Sequence, residues 1–172
     1  MKPASFLKRM LPELRAWRHD FHQYPEIAFE ELRTSKIIAE KLDSFGLDKV
    51  VRNVGKTGVV GTIAGTAPNR NNKRKVGLRA DIDALPMVEE GNIPHRSTIP
   101  GRFHGCGHDG HTTMLLVSEN MLCASKGVPD NFELLLLGSC GIPSSKSPPV
   151  FGNCALHIST CRRRVRRGEG ND

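Results

Sequence analysis

The sequence predicts an α/β fold: the first part of a mixed sheet flanked by helices, followed by an irregular or disordered tail. Three observations carry this. Two stretches with apolar residues at helical spacing open the chain, at residues 13–21 and 30–45. Short β-branched runs follow at 49–54 and 58–63, with a third at 75–80 that ends on two carboxylates, Asp81 and Asp83. From about residue 133 the composition changes, with no carboxylate between 134 and 168 and five arginines between Arg162 and Arg167.

Each element has a local reason. In residues 13–21 Leu14, Trp17 and Phe21 share one face, and Pro12 suits a first-turn position because a first-turn residue has no helical partner for its N–H. This helix is expected to end near Tyr24, since the residue before Pro25 is pushed out of the helical region. The second helix places Ile38, Leu42 and Phe45 on one stripe and stops at Gly46, which can adopt a left-handed backbone. Residues 67–75 are polar and basic and read as a surface loop between strands. Residues 88–103, broken by Gly91, Pro94, Pro100 and Gly101, read as another loop. A third helix is expected over about 112–124, with Met114, Leu115, Met121 and Leu122 as its apolar side.

Composition narrows the function. The 172 residues carry 25 Lys+Arg against 18 Asp+Glu, a formal net charge of +7, and 38% hydrophobic residues, which is ordinary for a globular enzyme and excludes collagen, coiled coil and wholesale disorder. No apolar run approaches the roughly 20 residues of a membrane span. The N-terminus has no apolar signal region, since Lys8, Arg9, Glu13 and Arg15 interrupt it. A cytoplasmic setting is the expectation, and there the five cysteines argue against a disulfide framework. The basic loop and arginine-rich tail call for no nucleic-acid partner, and the tail cysteines, Cys140, Cys154 and Cys161, lack the close spacing of a zinc knuckle.

The densest chemistry is HGCGHDGH, residues 104–111, at the start of the third helix. Thiolate and imidazole are ligands for borderline-soft divalent metals, and the glycines let the chain turn tightly enough to aim several side chains at one point. Cys106 and His108, separated by Gly107, can both face one ion. A metal-bound imidazole needs an acidic partner to hold its tautomer, and Asp81 and Asp83 are candidates.

Three motifs in order then match a family. RHDFHQYPEIAFEE (residues 18–31), RADIDALP (79–86) and HGCGHDGHTTMLL (104–116) resemble the hippurate hydrolase and N-acyl-amino-acid amidohydrolase family of aminoacylase-like metallopeptidases. The resemblance covers about residues 10–132 and implies a metal-dependent hydrolase that cuts the amide between an acyl group and an amino acid. It implies Cys106 and His108 as metal ligands, two ions of manganese, zinc or cobalt, and Asp83 as the acidic residue that orients the metal side; Asp81, His104, Asp109 and His111 are supporting. The family's general-base glutamate belongs to a Gln-Pro-Ala-Glu-Glu segment that this chain lacks, and the dimerisation contacts are missing with it. Read one base out of register, residues 158–164 permit Phe-Gln-Pro-Ala-Glu-Glu-Gly. The expectation is therefore an amidohydrolase catalytic-domain front over 1–132 and a frameshifted or misread tail over 133–172, with negligible catalysis by the chain as it stands. A non-catalytic metal-binding or regulatory relative is the alternative.

Overall fold

A computed structural model describes residues 2–64, 75–125 and 131–136. The architecture is the expected one: a small mixed sheet with helices packed against it. Helix α1, Pro3–Gln23, has Pro3 in its first turn and buries Phe6, Trp17 and Phe21. It begins well before the start expected from Pro12, which lies inside the helix. Proline there removes one N–H and crowds the preceding turn. The apolar stripe nevertheless runs on through Phe6, Met10, Leu14, Trp17 and Phe21, and burying that face against the core outweighs the local defect.

Helix α2, Leu32–Phe45, ends as expected on Gly46, whose φ of 79° is left-handed. Its first turn is capped from outside the helix, because the Glu26 carboxylate accepts the N–H groups of Arg33 at 3.0 Å and Thr34 at 2.7 Å. Ile38 and Leu42 are fully buried. Strands β1 (Lys49–Val54) and β2 (Gly58–Ile63) have the bounds that their β-branched content predicts, and they pair antiparallel.

The expected strand over 75–80 forms in two pieces, β3 (Lys75–Val76) and β4 (Arg79–Ala80). Both run parallel to β5 (Asn131–Leu136), which pairs antiparallel with β2 on its other side. Lys75 faces Asn131 and Arg79 faces Leu135, so both pieces keep the same offset of 56 and the interruption involves no register slip. β5 crosses the boundary drawn at residue 132, while the tail beyond 136 and most of the 67–75 loop lie outside the described residues.

Helix α3, His108–Ser125, starts four residues before the expected 112 and so takes His108, Asp109 and His111 into its first turn. Its buried face also differs from the expected one: Thr112, Thr113, Leu115, Leu116, Val117 and Glu119 are buried, whereas Met114 is 59% exposed. The helix is wedged among α1, α2 and the sheet, so most of its circumference is covered and no single apolar stripe marks the buried side. Trp17, Phe21, Ile38, Leu42, Val59, Ile82 and Leu116 form the core beneath it. No helix among the described residues is long and apolar enough to cross a membrane.

Candidate metal centre

β4 delivers Asp81, Ile82 and Asp83 past the end of the sheet, where open α/β sheets gather ligands. Ile82 is buried and anchors the segment, leaving the two carboxylates partly open. Asp81 turns back to Arg79, whose Nη2 donates to it at 2.6 Å. Asp83 turns to α3. The Nδ1 of His108 lies 2.9 Å from the Asp83 carbonyl oxygen and 3.0 Å from its carboxylate Oδ1. A carbonyl oxygen can only accept, so Nδ1 carries the proton and donates. Nε2 is thereby the ring nitrogen available to a metal, in the tautomer that a carboxylate partner enforces. The hydrogen bond to Asp83 raises the imidazole pKa against the opposing effect of burial.

The approach to His108 is built by tight backbone. Leu85 and Phe103 exchange N–H to carbonyl bonds of 2.9 and 3.0 Å, pinning the two ends of the intervening loop together. Gly107 then takes φ of 75°, a left-handed value, and its carbonyl accepts the first helical N–H groups from Gly110 and His111. Cys106 sits exposed on this turn with a free thiol.

The remaining motif residues divide. The His111 ring lies alongside that of His108, with centroids 5.7 Å apart. His104 faces inward: it is 4% exposed, neither ring nitrogen has a hydrogen-bond partner, and burial pushes its pKa down to about 4, so it is neutral. Asp109 also points inward, to α1, where it accepts from Arg18 Nε at 3.1 Å and meets His22 Nδ1 at 2.9 Å. The other nitrogen of His22 meets Glu89 Oε1 at 3.1 Å, and Glu89 Oε2 accepts the Ser97 N–H at 2.6 Å. Burial raises the pKa of both carboxyls, yet the bonds from Ser97 and His22 to Glu89, and from His22 with the neighbouring charges to Asp109, carry them below their usual range.

Sequence reasoning placed Arg18 and His22 inside the first of the three family motifs but gave neither a role, and it did not single out Glu89 at all. Arg18 and His22 stand one helical turn apart, so one face of α1 presents both.

Cys106 and His108 fit a divalent ion in donor chemistry, since a solvent-facing thiol and an imidazole with a directed Nε2 suit zinc or cobalt. They make only part of a ligand set: among the described residues no group of three or more His, Cys, Asp or Glu is placed to hold a metal ion.

The chain is 46% identical over 112 residues to hippurate hydrolase from Campylobacter jejuni, covering 65% of this chain and 28% of that protein. It is 42% identical over 114 residues to N-acyl-L-amino acid amidohydrolase from Geobacillus stearothermophilus, covering 64% of this chain and 30% of that one. Residues 77–138, which include Asp83, Cys106 and His108, match the profile of Peptidase family M20/M25/M40. Over these residues the chain carries the pattern of that family. Among solved structures, the fold described here is similar to a dinuclear metal-binding peptidase from the M20 family of Bacillus subtilis, with a TM-score of 0.66 and 30% identity over 77% of this chain and 35% of that one. The chain spans 28% and 30% of the two curated relatives.

Proposed function

We propose that this chain carries the N-terminal part of the catalytic domain of a metal-dependent hydrolase that cleaves the amide bond of N-acyl amino acids. Cys106 and His108 are its metal ligands, and Asp83 holds His108. The observation that carries the reading is the Asp83–His108 pair, which fixes the proton on Nδ1 and leaves Nε2 to ligate. The names of the relatives supply the substrate class: one acts on hippurate, another on N-acyl-L-amino acids. A divalent ion bound there supplies Lewis acidity toward the scissile carbonyl and acidifies a water. In the family two such ions, manganese, zinc or cobalt, do this work.

Asp83 raises the basicity of His108 and holds its ring plane, so Nε2 is kept in one orientation. The proton-accepting glutamate is absent from the sequence as it reads, so the chain by itself is expected to hydrolyse N-benzoylglycine at no more than background. We assign the tail, drawn from roughly residue 133, to a shifted reading frame or a read-through intron; the family match running to residue 138 supports a start a few residues later, and the transcript's nucleotide sequence across that region tests it.

Cobalt titration of the metal-free chain tests the ligands. Co²⁺ is expected to produce a thiolate charge-transfer absorbance that disappears in Cys106→Ser, and His108→Ala is expected to weaken binding at least about tenfold. A chain that binds no Co²⁺, or binds it equally well without Cys106 and His108, overturns the reading.

A further inference from the structure

His22 occupies an unusual position. Its ring is buried with 6% side-chain exposure, between two carboxylates that are themselves 1% and 4% exposed. Each ring nitrogen faces one carboxylate oxygen, Nδ1 to Asp109 and Nε2 to Glu89. These two carboxylates belong to the two segments that also carry the Asp83–His108 pair. Asp109 follows His108 in the first turn of α3, and Glu89 lies six residues after Asp83 on the segment leaving β4.

That segment is itself tied down beyond Glu89. Arg96 Nη2 donates to the Glu89 carbonyl at 2.8 Å, and Thr98 donates through N–H and Oγ1 to the Gln23 carbonyl, the residue after His22. The imidazole of His22 is therefore a second bridge, parallel to the Asp83–His108 bond, between the same two pieces of chain. Its own position is fixed by α1, which is buried at Phe21 and packed against α3. Neighbouring rings brace it: His95 and Phe103 meet it edge-on at 5.4 and 5.5 Å, and His19 stacks on His95 at 3.7 Å.

We propose that His22 is a positioning residue that acts on the metal side through its two carboxylates, holding the first turn of α3 against the Asp83 segment so that the Asp83–His108 bond stays formed. It touches neither metal nor substrate. The proposal rests on the assignment of His108 as a ligand only for its functional meaning, because the bridge and the Asp83–His108 bond are made entirely by this chain's own residues.

Two variants separate this role from general stability. His22→Gln leaves an amide that can reach only one of the two carboxylates. Glu89→Ala cuts the loop end of the bridge while His22 and Asp109 stay paired, so no buried carboxylate is stranded. Ile38→Val serves as a core control, lowering stability at a buried apolar residue that makes none of the bridge's hydrogen bonds. The readout is exchange of the His108 Nδ1 proton with water, followed by NMR of the imidazole-labelled, metal-free chain. Both bridge variants are expected to speed that exchange by about tenfold or more, as for a local opening, and Ile38→Val is expected to leave it unchanged. Co²⁺ affinity is expected to fall about tenfold in the same two variants. Unchanged exchange in both, or an equal rise in Ile38→Val, overturns the proposal. A wild-type chain that binds no Co²⁺ but shows the expected exchange pattern sinks the ligand assignment and leaves the bridge standing.

Discussion

Glu119 is fully buried in α3, and neither of its carboxyl oxygens has a hydrogen-bond partner. Burial pushes its pKa up to about 9, so the folded chain holds this carboxyl protonated where the unfolded chain, near 4.5, does not. Folding therefore takes up a proton between those values, and stability falls as pH rises from about 4.5 toward 9. Glu119→Leu is expected to remove that slope. Relative to wild type it should gain roughly 4 kcal/mol between pH 5 and pH 8, measured by urea unfolding at the two values. Equal gains at both would mean that the carboxyl is not buried as described. Gly107 makes a different residue-scale case. Nothing crowds its Cβ position, so Gly107→Ala meets only the left-handed backbone and is expected to cost about 1 kcal/mol in the same assay.

Among the elements, α1 is where propensity and packing disagree. Pro12 is exposed, so replacing it loses no core contact and restores an N–H to the helix interior. Pro12→Ala is expected to raise stability by about 1–2 kcal/mol, the helix gain less the lost stiffness of the unfolded chain, read from the thermal midpoint. A drop in the midpoint would show that the proline sets a bend the packing needs. The same residue explains what was legible beforehand. The bounds of β1 and β2 could be read to the residue because Val50, Val51, Val59 and Val60 give both segments local strand preference, whereas their pairing came only from the structure. Gly46 likewise announces the end of α2. Pro12 misled because a first-turn preference is a local rule, and the stripe from Phe6 to Phe21 overrides it by tertiary burial. The start of α3 was placed late because glycines at 105, 107 and 110 look like loop, although Gly107 serves as the helix entry. In the site, Cys106, His108 and Asp83 could be named from their motifs. The partners of His22 could not, since Asp109 and Glu89 lie 87 and 67 residues away and nothing in the local pattern of α1 points to either.

For the whole molecule, the sheet depends on its last strand. Residue 135 in β5 faces Val60 of β2 on one side and Arg79 of β4 on the other. Leu135→Pro puts a residue without an N–H into the middle of the ladder and is expected to abolish the cooperative thermal transition followed by the single tryptophan, Trp17, which is buried in the core. A wild-type-like melt would mean that the hairpin and helices hold together without β5. The arrangement also sets a timetable for the chain while it is being made. β2 ends at Ile63 and its partner begins at Asn131, so 68 further residues must be translated before the hairpin's inner edge is covered. At ordinary elongation speeds of about 5–20 residues per second this is roughly 3–14 s. For that interval each nascent polypeptide carries a valine-rich hairpin whose inner edge has no partner, an open ladder that a neighbouring chain can complete.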